Sequence, residues 1–148
     1  YPTRLEQPKL AEYAQATLKD IGIDVQVNNT SDHRTFAENG DFDVYVSSTT
    51  TAPTGDPEYF FTSTVVGSKN YGKYQNDEVT KLTEKLHQTF DKDERGKLAV
   101  ELQQDILDDD AFFFVSHLNM GIVTKSNVKG MAAHPCDYYE ITADLDVE

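Results

Sequence analysis

Two loops concentrate the residues able to do chemistry, and the chemistry they offer is binding. The first, Ser48-Thr-Thr-Thr-Ala-Pro-Thr-Gly-Asp-Pro57, presents the hydroxyls of Thr49, Thr50, Thr51 and Thr54, with Tyr59 just beyond it. Hydroxyls donate and accept without fixed charge, which suits them to a polar solute. The second, Gly67 to Gln75, sets Lys69 and Asn70 beside Tyr71 and Tyr74. A cation and an amide among aromatic faces can hold a carboxylate-bearing ligand. The candidate ligand-binding set is therefore Thr49, Thr50, Thr51, Thr54, Tyr59, Lys69, Asn70 and Tyr71. Plainer readings stand beside it: Asp56 only caps a short helix, and the second loop is one more Gly/Asn/Tyr surface loop.

Catalysis finds no comparable foothold. There is no G-x-S-x-G, and Cys136 follows a proline with no helix N-terminus near it to lower its pKa. His33, His87, His117 and His134 contain no pair at helical spacing, and His134-Pro-Cys136 supplies two ligands where a closed site needs four. Asp108-Asp-Asp110 reads as a solvated run at a helix end. No catalytic residue, no metal ligand and no cofactor is assigned, and nickel enters only as part of a transported ligand.

The elements that must position the two loops follow from periodicity. Leu10, Ala14, Leu18 and Ile21 fall at helical spacing over Pro8 to Ile21, and Gly22 stands where a left-handed cap belongs. Ile23 to Val27 alternates as a strand, Asp32 to Asn39 is a short helix ended by Gly40, and Phe42 to Ser47 alternates again. Strand, helix, strand implies a parallel crossover, and ligands bind outside the carboxyl ends of such strands, where Ser48 to Asp56 lies. Asp56-Pro-Glu58 opens a short helix through Tyr59, Phe60 and Phe61. Two amphipathic helices come next: Asn76 to Phe90 with Val79, Leu82, Leu86 and Phe90, and Lys92 to Leu107 with Leu98, Leu102 and Ile106. Phe112 to Val115 and Gly121 to Thr124 read as strands, and the tail from Gly130 has few core-quality residues. The expected architecture is α/β, a mixed sheet flanked by helices.

With 148 residues, 38% of them hydrophobic, the chain can bury one core of ordinary size. A net charge of -13 without any basic stripe makes nucleic acid and anionic membrane surfaces poor partners. No apolar run approaches the roughly 20 residues that span a bilayer. The start at Tyr1-Pro2 reads as that of an excised piece, and a lone cysteine rules out an internal disulfide framework.

Several segments, in order, carry a family resemblance: Pro8 to Val25, Gly40-Asp-Phe-Asp-Val44, Gly55-Asp-Pro-Glu-Tyr-Phe-Phe61, Asn70-Tyr-Gly-Lys-Tyr74, Asn76-Asp-Glu-Val79 and Asn127-Val-Lys-Gly130. On these the chain resembles the C-terminal portion of the family 5 extracellular solute-binding proteins, the peptide, nickel and opine binders of ABC importers. The resemblance implies a type II periplasmic-binding-protein-like fold that closes two lobes around a ligand. Residues 1–128 would form the second lobe and residues 129–148 a segment returning to the first. It also implies ABC permease subunits as partners and an exported protein, either periplasmic or a cell-surface lipoprotein anchored outside this stretch. Dipeptide binders of the family carry an aspartate shortly before the Asp-Pro pair to grip the peptide amine, where this chain has Pro53. Gram-negative nickel binders carry a tryptophan in the first loop and a histidine near Ser68 or Lys69, and this chain has neither. The threonine-rich loop resembles instead the Gram-positive nickel or metallophore binders.

The expected function is capture of a small polar ligand, nickel or a nickel chelate, by lobe closure without chemistry. The alternatives are an oligopeptide or dipeptide binder, and a protein-interaction domain that docks through Tyr59-Phe-Phe61 and His134 to Tyr139.

Overall fold

The computed structural model describes residues 6–119, 121–133 and 141–148. The backbone divides into two compact units, Tyr1–Thr49 and Thr50–Glu148.

The first unit contains α1 (Glu6–Lys19) and α2 (His33–Asn39). Gly22 and Gly40, both at positive φ, close these helices as their sequence positions imply. The Ile23 N–H returns to Leu18 O at 3.0 Å, the wrap that satisfies end carbonyls. Ile21 lies beyond the last turn of α1 and is 72% exposed, so it leaves the stripe that periodicity assigned to it. Only Ala37 of this unit's hydrophobic residues is fully buried among those described. A small aromatic group compensates: Tyr45 packs on Phe42 with ring centroids 5.5 Å apart and pairs its hydroxyl with His33 Nδ1 at 2.7 Å.

The second unit holds the main core. It contains α3 (Glu58–Phe60), continued by a π-helical turn (Phe61–Val65), then α4 (Asp77–Gln88), α5 (Lys92–Asp108), β1 (Val128–Lys129) and β2 (Asp146–Val147). Asn76 and Asp91 start α4 and α5 by accepting backbone N–H bonds, from Glu78 and Val79 in one case and from Asp93 and Glu94 in the other. Val79, Leu82 and Leu86 of α4 meet Leu98, Ala99, Leu102 and Ile106 of α5, with Phe61 and Val65 closing one side. Each fully buried leucine here stabilises the fold by about 2–3 kcal/mol. Phe90, assigned by periodicity to the same stripe, is 92% exposed. Helix α4 stops at Gln88 and Thr89 turns extended, so Phe90 falls out of helical phase.

The expected mixed sheet does not form among the described residues, and neither does the parallel crossover. Regular strand there is limited to the antiparallel pair β1 and β2, with Val128 opposite Val147 and Lys129 opposite Asp146. The segments 23–27, 42–47, 112–115 and 121–124 carry no ladder. Alternation specifies two faces, but a strand also needs a neighbouring backbone. Val25 O, for example, accepts from Gln15 Nε2 of α1 at 2.6 Å instead of from another strand. In 112–115 the side chains do order: Phe112 and Phe114 stack with centroids 6.0 Å apart and both meet Phe60, while Phe113 is 91% exposed. The Asn127 to Gly130 segment has a definite task, since Asn127 brackets Glu148 through two 3.0 Å bonds beside the β1–β2 pair.

Candidate functional site

The site is built around the short helix α3. Asp56 does cap it, as the plainer reading holds, accepting the Glu58 N–H on Oδ1 at 2.8 Å. The same carboxylate also takes Arg95 of α5 in a two-pronged ion pair, with Nη2 2.6 Å from Oδ1 and Nε 3.1 Å from Oδ2. Arg95 Nη2 reaches Glu58 Oε2 at 2.8 Å, and Nη1 donates to Leu86 O and Thr89 O at the end of α4. His87 Nδ1 holds the other Glu58 oxygen at 2.6 Å. The Arg95 side chain is only 15% exposed, so this cluster is screened less than a surface pair.

The charges respond as that geometry dictates. Burial pushes Asp56 up, but the Arg95 hydrogen bond, the Glu58 backbone N–H and the Arg95 charge together pull it below its ordinary range. The Arg95 hydrogen bond holds Glu58 down as well, and the two carboxylates in turn raise Arg95. Both acids are thus ionised, and Arg95 offsets one of their two charges inside the cluster.

Beyond α3 the chain widens into the π turn, with Val66 N–H bonded to Phe61 O. Thr62 and Ser63 hydroxyls bond back to Glu58 O and Tyr59 O, competing for the helix's own acceptors. Gly67 then packs directly on this turn: a Cβ there would sit 2.0 Å from Thr62 O and 2.9 Å from Ser63 O. No side chain fits, and the second loop starts from that contact.

Of the residues proposed from sequence, Tyr59 and Lys69 come together. Lys69 Nζ bonds the Tyr59 hydroxyl at 3.0 Å and stands 5.4 Å from the ring centroid. Asn70 has another job: its amide accepts the Tyr74 N–H at 2.9 Å and donates to Tyr74 O at 2.8 Å, closing the loop on itself. Tyr71 is half-buried. Thr49 ends the first unit, exposed; in the second, Thr51 and Thr54 are exposed and Thr50 half-buried, while Pro53 is buried. No hydrogen bond joins Thr50, Thr51 or Thr54 to Lys69 or Asn70. A shallow groove of about 570 Å³ lies elsewhere, lined by Thr62, Thr80, Glu84 and His87 among others, and includes none of the proposed loop residues. The proposed docking face at Tyr59-Phe-Phe61 is corrected, because Phe61 is 2% exposed within the core; His134 to Tyr139 lies outside the described residues.

Arg95, Glu58 and His87 escaped the sequence reading. The available signal was one arginine in a helix otherwise read for its apolar stripe, downstream of two acids flanking a proline. Asp109 escaped too: the run it belongs to is exposed, yet Tyr74 and Asn76 both bond its Oδ2. Among the described residues no group of three or more His, Cys, Asp or Glu side chains is placed to hold a metal ion, and no helix is long and apolar enough to cross a membrane.

Residues 1–72 match the family described as bacterial extracellular solute-binding proteins, family 5 Middle. By that match residues 1–72, just under half of the chain, resemble the family 5 extracellular solute-binding proteins. The matched stretch takes in the threonine loop, α3, the π turn and the second loop as far as Gly72. Nickel-binding protein NikA of Staphylococcus aureus (strain NCTC 8325 / PS 47) is similar over the whole chain, 25% identical across 151 residues. The chain spans 31% of that relative's length. No solved structure matches the chain.

Proposed function

We propose that this chain is part of the solute-binding component of an ABC importer, capturing a small polar ligand for which nickel, or nickel carried by a small chelator, is the favoured cargo. The observation that carries the cargo is the Lys69–Tyr59 pair. An exposed ammonium held over a phenol is a compact acceptor for a carboxylate, and nickel chelators of low mass are carboxylate-rich. Buried Pro53 supports the same direction, since no acid stands there to meet a peptide amine. The similarity to a protein named for nickel binding supports it further.

In this reading residues 1–128 belong to the second ligand-binding lobe of a type II periplasmic-binding-protein-like α/β fold, and 129–148 return toward the first lobe. The segments that carry no ladder are completed by the rest of the protein. Thr49, Thr50, Thr51, Thr54, Tyr59, Lys69, Asn70 and Tyr71 line or support one wall of the cleft. The protein works outside the cytoplasmic membrane, periplasmic or lipid-anchored, and delivers its ligand to the permease subunits. Ligand is held by hydrogen bonds and lobe closure, with no bond made or broken.

Isothermal calorimetry of the full protein tests the cargo with three probes: nickel(II) alone, nickel(II) with histidine, and short peptides. Heat from nickel(II) with histidine and none from peptides is expected. Heat from peptides alone overturns the metal reading in favour of a peptide importer.

A further inference from the structure

The residue that holds the site together lies outside both loops. All three guanidinium nitrogens of Arg95 are engaged: Nε and Nη2 with Asp56, Nη2 with Glu58, and Nη1 with Leu86 O and Thr89 O. The last two acceptors are carbonyls at the end of α4, where Leu86 O also takes the Thr89 N–H at 3.2 Å, so one side of the guanidinium is fixed to the best-packed part of the unit. The other side holds the final acid of the threonine-rich loop. Between Asp56 and Thr54 there is only Gly55, whose N–H bonds Ala52 O at 2.9 Å, and Pro53 beside them is buried. Displacement of Asp56 must therefore carry through a tight turn to Thr54 and Ala52. Glu58 cannot swing aside to compensate, because His87 holds its second oxygen.

We propose that Arg95 is a positioning residue for ligand capture: it anchors the carboxyl end of the Ser48 to Asp56 loop to the α4–α5 pair, so that the loop is set before ligand arrives. The inference rests on the reading of that loop as a ligand wall. Its physical basis is preorganisation. A loop already held in place loses less conformational freedom when a ligand binds, and that saving appears directly in affinity. The fork is essential to the role. A lysine at this position keeps the charge but, as a point donor on a flexible stem, cannot serve two carboxylates and two carbonyls in one plane.

The test uses hydrogen–deuterium exchange of the full protein carrying Arg95→Lys or Arg95→Met, with Lys97→Met as a control on the same helix, where the Glu94 partner is exposed. In both Arg95 variants exchange over residues 48–58 should rise at least about tenfold more than in the core turns of α4 and α5, which follow only the loss of global stability. The control should match the parent. In a protein that binds nickel(II) with histidine, the same two variants should show at least about tenfold weaker calorimetric affinity for that probe. Unchanged loop exchange in both variants overturns the proposal, and so does acceleration shared equally by α4 and α5, which makes Arg95 a general staple. If Arg95→Met fails to fold, Arg95→Lys and Asp56→Asn decide it by the same readout. Loop opening with undiminished nickel–histidine affinity overturns the ligand-wall reading, and with it the role in capture. Exchange alone decides the anchoring in a protein that gives no heat with this probe.

Discussion

Tyr74 donates its phenolic hydroxyl to Asp109 Oδ2 at 2.5 Å, joining the end of the second loop to the end of α5 across 35 residues of sequence. Asn76 Nδ2 meets the same oxygen at 2.7 Å while its Oδ1 caps α4, so one carboxylate ties a loop, a helix start and a helix end. That relationship makes the first prediction one of alkaline stability.

Burial, and after it the Asp109 carboxylate, pushes Tyr74 up to about 12 from an ordinary 10.0. A raised tyrosine favours the neutral phenol in the folded state. Its contribution is therefore fully present below pH 10 and is lost as pH climbs toward 12. Ultraviolet-difference titration should show one tyrosine ionising late, and Asp109→Asn should bring it back toward the others. Late ionisation that survives Asp109→Asn would assign the shift to burial alone.

At the acid end the sign reverses. Asp56 and Glu58 have lowered values, against ordinary values of 3.8 and 4.5, so their contribution is complete above that range and disappears as pH falls through the lowered folded values. Arg95→Met should reduce stability by about 1–3 kcal/mol at neutral pH, a span that allows for the partial exposure of Asp56. Urea denaturation of parent and variant across pH should show the two curves converging in acid.

Gly67 is required by contact. With a Cβ 2.0 Å from the Thr62 carbonyl oxygen, Gly67→Ala must push the π turn and the second loop apart. A loss of about 1–3 kcal/mol in thermal or urea unfolding is expected, as for other overpacked sites. Full stability would mean the loop repacks at no penalty.

Lys69 and Asn70 are neighbours with separable roles. Asn70→Ala removes both bonds that close the loop on Tyr74 and should lower stability by about 1–2 kcal/mol. Lys69→Ala touches an exposed group and should leave stability within about 0.5 kcal/mol, while weakening any carboxylate-bearing ligand. Parallel melts and calorimetry on the two variants check the division. Equal effects of both on both measurements would contradict it.

Helices were legible because their signals are local. The stripes Val79, Leu82, Leu86 and Leu98, Leu102, Ile106 each repeat within a turn or two, and the observed α4 and α5 obey them. Errors came at the ends: Phe90 and Ile21 keep the spacing but lie past the last helical turn, where spacing no longer sets direction. Alternation at 23–27, 42–47, 112–115 and 121–124 was equally visible in the sequence, yet pairing depends on a distant backbone that a local pattern cannot name.

The candidate site divides the same way. Sequence alone determined which loops are rich in hydroxyls, amide and cation, and that Asp56 caps the short helix after it. Only tertiary structure decided that Arg95 reaches back 39 residues to Asp56, that Asp109 gathers Tyr74 and Asn76, and that Lys69 stands over Tyr59. A cap is a bond between near neighbours and is written in their order. A charge cluster depends on where two helices bring their ends, which is set by the packing of their buried faces and leaves no mark at the polar positions themselves.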